Sequence, residues 1–327
     1  MSIFIAVPGY QDTEFIPTIE NAFSKADNPE DVYIGSRYLS TFSDELDNIE
    51  EWVINHKYSD NIKIDLVLVN EHNRFQVFGS TKGRQGSANF YADQDYFMSI
   101  DSHTIFSEHW DSRLIELHKE SKELTGNEKT IVTAYAGSYG FNDSGDRYFR
   151  EGHLYQYIGF PNKITTRHIQ EWMTRPLYSV CLPWITEELN SSYPKLLPAT
   201  KFAYNFSFSD KCFIYEEDLD VYIIEEDIIK TWKLIKDGWT FVHPNTREPI
   251  LAHLYHPQIG KFGERAGVKG AVGINTEWKY VHQEVRNVLK YLDDPEYKDT
   301  ISKYESWLKV KFKEHSLHNW YMPDTFI

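Results

Sequence analysis

Residues Tyr96 to Phe106 read YFMSIDSHTIF. An apolar run of strand length, carried by Tyr96, Phe97, Met98 and Ile100, stops at Asp101-Ser102-His103. Such a run predicts a strand, and the continuous run Ile3 to Val7 predicts one buried on both faces, as in a parallel sheet. Similar runs lie upstream in IFIAV (Ile3 to Val7), VYIGSRYL (Val32 to Leu39) and IKIDLVLV (Ile62 to Val69), and downstream in TIVTAYA (Thr130 to Ala136). Between them apolar residues recur at helical spacing: Phe15, Ile16, Ile19, Ala22 and Phe23; Leu46, Ile49, Trp52 and Val53; Trp110, Leu114 and Leu117. A further helix is expected to start near Gly86. Strand and helix alternate, which predicts an α/β domain with a mainly parallel sheet and flanking helices. In such sheets ligands bind beyond the carboxyl ends of the strands. Asp101-Ser102-His103 and Pro8-Gly9-Tyr10-Gln11-Asp12 both fall there.

The 327 residues, 41% of them hydrophobic and 16% aromatic, can build a sizeable core. A formal charge of −15 argues against a protein that coats nucleic acid, because phosphate binding wants a net basic face. Two cysteines, Cys181 and Cys212, imply no disulfide framework. The N-terminal MSIFIAVPGYQD lacks a basic leader, and its apolar run is too short for a bilayer. A soluble cytoplasmic chain with no membrane partner is the expectation, in host cytoplasm if the source is viral. Residues 1–256 read as the main domain, with an aromatic-rich, less regular segment at 140–210 that is either a packing subdomain or an acceptor platform. Ile228, Trp232 and Ile235 mark a helix closed by Gly238. WTFVHP reads as a short strand, followed by ILAHLYH. Residues 257–275 hold GKFGERAGVKGAVGIN, whose five glycines suit a mobile loop and whose lack of a GK[ST] ending excludes a P-loop. Residues 276–327 read as a helical tail, with Trp278, Val281, Val285 and Val288 periodic.

Three groups carry chemistry. Asp101 and His103, two positions apart in a turn, offer oxygen and nitrogen donors suited to Mn²⁺ or Mg²⁺; the alternative is a polar loop with a helix-capping aspartate. Glu225-Glu226-Asp227 opens a helix, where acidic residues favour the macrodipole. Three in a row also crowd one another, raise one another's pKa and suit work on a hydroxyl. His253 is either a satisfied core histidine or a third ligand joining the first two. No G-x-G-x-x-G follows the first strand, which argues against a dinucleotide-binding oxidoreductase.

Together these segments resemble a known family. IFIAVPGYQDTEFIPTIENAFSKADNP resembles the N-terminal signature of the GlcNAc-transferase family that includes cytosolic enzymes modifying hydroxyproline on a protein, which are GT-A glycosyltransferases that retain anomeric configuration. DQDYFMSIDSHTIFSEHWD resembles that family's Asp-Ser-His block almost residue for residue. EEDIIKTWKLIKDGWTF resembles its paired-glutamate helix, and AHLYH its Tyr-His-Leu-Tyr; the blocks span residues 3 to 256 in family order. The resemblance implies a Rossmann-like GT-A fold and a UDP-sugar donor. It implies that Asp101 and His103 are the metal-binding variant of Asp-x-Asp, with His253 as third ligand to Mn²⁺ or Mg²⁺. It places Asp12, Tyr10, Ser102 and Arg84 near the donor, and Glu226 and Asp227 on the paired glutamates as catalytic residues. Apart from the resemblance, Lys261, Arg265 or Lys269 of the glycine-rich loop either fold over the phosphates as a lid or belong to a solvated basic connection. Departures from the family pattern, Gln11 for Arg, Asp227 for Glu and Glu225 for Gly, fall on the sugar and acceptor side. The acceptor is expected to be a hydroxyl on a macromolecule, a protein by resemblance. A hydroxymethylated base in DNA is the second reading, as in bacteriophage DNA-modifying glycosyltransferases, with Arg147, Arg150, Lys163, Arg167 and His168 as a basic patch. A third is a catalytically silent nucleotide-sugar-binding module.

Overall fold

The computed structural model describes residues 1–73, 79–150, 155–157, 180–182, 196–199, 201–214, 226–244, 249–254 and 291–308. Strand β1 (Ile3–Ala6) is buried along its whole length and pairs in parallel with β3 (Val32–Ser40) on one side and β5 (Tyr96–Ile100) on the other. Its continuation, β2 (Gly9–Tyr10), stays on the same edge of β3. Helix α1 (Phe15–Lys25) buries Phe15, Ile19, Ala22 and Phe23, the stripe its spacing predicts. Helix α2 (Ser43–Asn55) returns the chain to the parallel edge strand β4 (Ile62–Leu68). That strand is only half-buried: it carries Lys63 and Asp65, and among the described residues it pairs with β3 alone.

Helix α3 spans Ser80–Ala88, starting well before the Gly86 expected to open it. Gly86 lies inside the helix, where it serves close packing. A Cβ on Gly86 would lie 2.5 Å from Arg37 Nε on β3. After β5 come β6 (Thr104–Phe106), α4 (Trp110–Thr125) and β7 (Thr130–Thr133). The α4 face carrying Trp110, Leu114 and Leu117 is fully buried. Strands β8 (Gly137–Phe141), β9 (Arg147–Phe149), β10 (Tyr155–Tyr157), β11 (Val180–Leu182), β12 (Leu196–Pro198) and β13 (Phe206–Ser209) follow. Then come α5 (Glu226–Lys236), β14 (Thr240–Pro244), β15 (Leu251–His253) and α6 (Pro295–Leu308). The expected loop at 257–275 and the periodic positions Trp278, Val281, Val285 and Val288 lie outside the described residues.

The central sheet runs β12-β14-β7-β13-β5-β1-β3, with β2 and β4 also on β3. It is parallel except at β12 and β13. β13 lies antiparallel between β5 and β7, so the end of the 140–210 segment enters the main sheet. Phe206 and Phe208 join the larger core, while the alternate Ser207 and Ser209 point to the other face yet stay buried. Ser207 Oγ donates to Ala203 O at 2.7 Å, which satisfies the hydroxyl there. A second, smaller sheet, β6-β15-β8-β9, carries its own cluster of Ile105, Tyr139, Phe141, Ala252 and Leu254. No helix among the described residues is long and apolar enough to cross a membrane.

Candidate active site

Asp101, Ser102 and His103 occupy the turn that leaves the carboxyl end of β5 and enters β6. α1 clamps this turn. Thr18 Oγ1 donates to Ser102 O and accepts the Thr104 N–H, each at 2.9 Å. Thr104 Oγ1 donates to Asp101 O at 2.9 Å. The two Thr18 bonds tie the turn to α1.

His253 arrives from 150 residues further along the chain by strand pairing. β15 runs antiparallel to β6 with His253 opposite Thr104, and the Leu254 N–H donates to His103 O at 3.0 Å. This sets the His253 and His103 rings 4.4 Å apart at 65° and brings His253 Nε2 to 2.9 Å from Asp101 Oδ2. One ligand atom from each of Asp101, His103 and His253 lies within 4.8 Å of the others. Two imidazoles and a carboxylate converging in this way fit a divalent cation of the Mn²⁺ type. These are the three residues expected from the sequence; Asp101 and His103 share one turn, and His253 is joined to them by the small sheet rather than by proximity in the chain.

Arg84, from α3, lies beneath them at 5% exposure. Its Nη2 donates to Asp101 Oδ1 at 2.6 Å and lies 3.5 Å from Glu226 Oε1, and its guanidinium sits over the Tyr204 ring at 4.6 Å. Burial alone would raise the Asp101 carboxyl, but Arg84 and the His253 hydrogen bond outweigh it and hold Asp101 well below the usual range. Glu226 feels the opposite balance. Its burial outweighs the attraction of Arg84, Asp227 adds repulsion, and the carboxyl is pushed up to about 7. Ser80 Oγ donates to Glu226 Oε2 at 2.6 Å.

Asp227 turns a different way from its neighbour. It accepts the Tyr204 N–H at 3.1 Å and pairs with Lys201 at 3.3 Å, which ties α5 to the loop before β13. Asp12 and Ser102 meet: Ser102 Oγ donates to Asp12 Oδ2 at 2.6 Å, and His103 Nδ1 lies 2.6 Å from the same oxygen. Tyr10 is half-buried on β2, beside Gln11 with its left-handed φ of 43°, and burial raises its phenol. Lys261, Arg265, Lys269 and Glu225 lie outside the described residues, as do Lys163, Arg167 and His168. Of the basic set, Arg147 is bidentate to Glu14, at 2.6 and 2.9 Å. Ser80, Lys201 and Tyr204 were not legible as site residues. Each is an ordinary residue many positions from the motif it supports, and only the sheet order brings them in.

The family model described as Glycosyltransferase (GlcNAc) matches residues 41–306. No curated protein sequence matches the chain significantly. Among solved structures, GalNAc-T7 with UDP, GalNAc and Mn²⁺ is similar over 95% of this chain at 11% identity and a TM-score of 0.50. The chain spans 55% of that protein's length. S. aureus TarS 1-349 in complex with UDP-GlcNAc is similar over 96% of this chain and 77% of its own, at 14% identity and a TM-score of 0.49. The likeness to GalNAc-T7 is one of fold, the GT-A type of α/β architecture.

Proposed function

This chain belongs to the GlcNAc glycosyltransferase family, and from that premise we propose that it moves a sugar from a UDP-sugar to a hydroxyl on a macromolecule with the help of Mn²⁺ or Mg²⁺. One observation carries the metal-dependent reading: the donor atoms of Asp101, His103 and His253 converge at the carboxyl end of β5. Open α/β sheets bind ligands at that edge. GalNAc-T7, which shares the fold, was crystallised with UDP, GalNAc and Mn²⁺, and this supports a nucleotide-sugar donor and a divalent ion.

Asp101, His103 and His253 would hold the ion, which supplies positive charge to a departing diphosphate. The chain's own residues do the rest. Arg84 fixes Asp101 from below, so the carboxylate is oriented before any ligand arrives. Glu226, poised near neutrality, accepts a hydrogen bond from a sugar or acceptor hydroxyl and orients it. Asp227 keeps the Glu226 helix anchored through Lys201. In the retaining course, the bond from the anomeric carbon to UDP breaks and a bond to the acceptor oxygen forms on the same face. The acceptor proton passes to the leaving diphosphate. A protein hydroxyl is the acceptor we favour, because a net charge of −15 opposes a polyanion.

The test is UDP release from a panel of UDP-sugars, including GlcNAc, glucose, galactose and pentoses, with Mn²⁺ present. Release from one donor, lost with chelator and in Asp101→Ala, is expected. Adding hydroxyproline peptides or hydroxymethylated DNA then identifies the acceptor by stimulation of release. Metal-dependent UDP binding with neither release nor transfer would instead identify a silent binding module.

A further inference from the structure

A metal site built on His103 depends on which ring nitrogen faces the ion, and we infer that Asp12 is the positioning residue that decides it. The inference rests on the metal-site reading above and gives Asp12 a role other than nucleotide contact. Asp12 is 7% exposed and held on several sides. Its Oδ2 lies 2.6 Å from His103 Nδ1 and accepts the Ser102 hydroxyl at 2.6 Å. Its Oδ1 accepts the Glu14 N–H at 3.0 Å. Its own N–H donates to the Tyr38 hydroxyl at 2.9 Å, and that hydroxyl donates to Glu45 at 2.5 Å. Burial, with the Glu45 hydrogen bond, raises the Tyr38 phenol far above its ordinary value, so Tyr38 remains a neutral donor.

An ionised carboxylate only accepts hydrogen bonds. The arrangement therefore keeps the imidazole proton on Nδ1 and makes Nε2 the nitrogen through which His103 reaches a cation. Carboxylate partners of this kind fix the tautomer and orientation of a ligating imidazole and raise its basicity. Asp12 follows β2, the continuation of β1, and His103 follows β5, the parallel neighbour of β1. The sheet thus delivers the carboxylate to the ring, and Ser102 locks it there.

The experiment uses the full chain. Long-range proton–nitrogen correlation on ¹⁵N-labelled, metal-free protein reads the His103 tautomer. The expected result is a proton on Nδ1. Mn²⁺ affinity is then measured by calorimetry in wild type, Asp12→Asn and Asp12→Ala. Asp12→Ala should shift His103 towards the Nε2–H form and weaken Mn²⁺ by about 10- to 100-fold with an unchanged circular dichroism spectrum. Asp12→Asn, which fills the same space, should lose less. Wild-type His103 protonated on Nε2, or folded variants that bind Mn²⁺ as wild type does, would overturn the inference. Should Asp101→Ala also bind Mn²⁺ normally, the metal site itself is misplaced. The tautomer measurement still decides whether Asp12 orients the ring, and it needs no variant to fold.

Discussion

Arg84 is a permanent cation buried between two carboxylates that would otherwise repel each other. Removing one partner of such a group leaves uncompensated buried charge, which costs about 3–5 kcal/mol. Arg84→Met should lose stability on that scale in chemical denaturation, far more than a surface arginine would. Glu226 gives a pH signature with a definite sign. Its folded carboxyl titrates at about 7, against 4.5 for an ordinary glutamate. Between those values the folded chain holds more protons than the unfolded one, so this group's contribution to stability falls as pH rises. At about 1.4 kcal/mol per pKa unit, the loss reaches roughly 3 kcal/mol once Glu226 is ionised. Glu226→Gln should therefore be level with wild type near the bottom of that window and gain on it steadily towards pH values above the folded pKa. Parallel melting curves at the two ends of the window would remove the assignment.

At the scale of elements, helix α5 ends where the sequence says it should. Gly238 has φ +85°, its N–H donates to Ile235 O, and the Trp239 N–H donates to Leu234 O. A Cβ there meets nothing within 4 Å, so Gly238→Ala tests backbone strain alone and should cost about 1–2 kcal/mol. The long elements were legible for a related reason: α1, α2, α4, β1, β3 and β5 each carry a full period of buried residues. The small sheet was not. β6, β9 and β15 are three residues each, too short for periodicity to separate strand from loop. α3 misled because Gly86 sits within the helix, at a close approach to Arg37 on β3, rather than at its start. The site divides in the same way. Asp101 and His103 share one turn and could be read locally. His253 could be proposed only as a possible partner, because a β6–β15 ladder spanning the chain supplies the contact. The Asp12–His103 and Arg84–Glu226 contacts had no local signal at all.

For the whole molecule, the three proposed ligands join two sheets: Asp101 and His103 flank the passage from β5 to β6, and His253 ends β15. A cation bound there links the carboxyl edge of the central sheet to the small sheet, and that linkage should appear as stability. At about 100 times its dissociation constant, a ligand specific for the folded state adds about 2.7 kcal/mol. Mn²⁺ should raise the wild-type melting temperature and leave Asp101→Ala where it was. The most direct measurement is anomalous diffraction at the manganese edge from crystals soaked with Mn²⁺ and UDP. The account predicts one strong peak within bonding distance of Asp101, His103 and His253. A peak elsewhere with this cluster empty, at a metal concentration that supports UDP release, would contradict it.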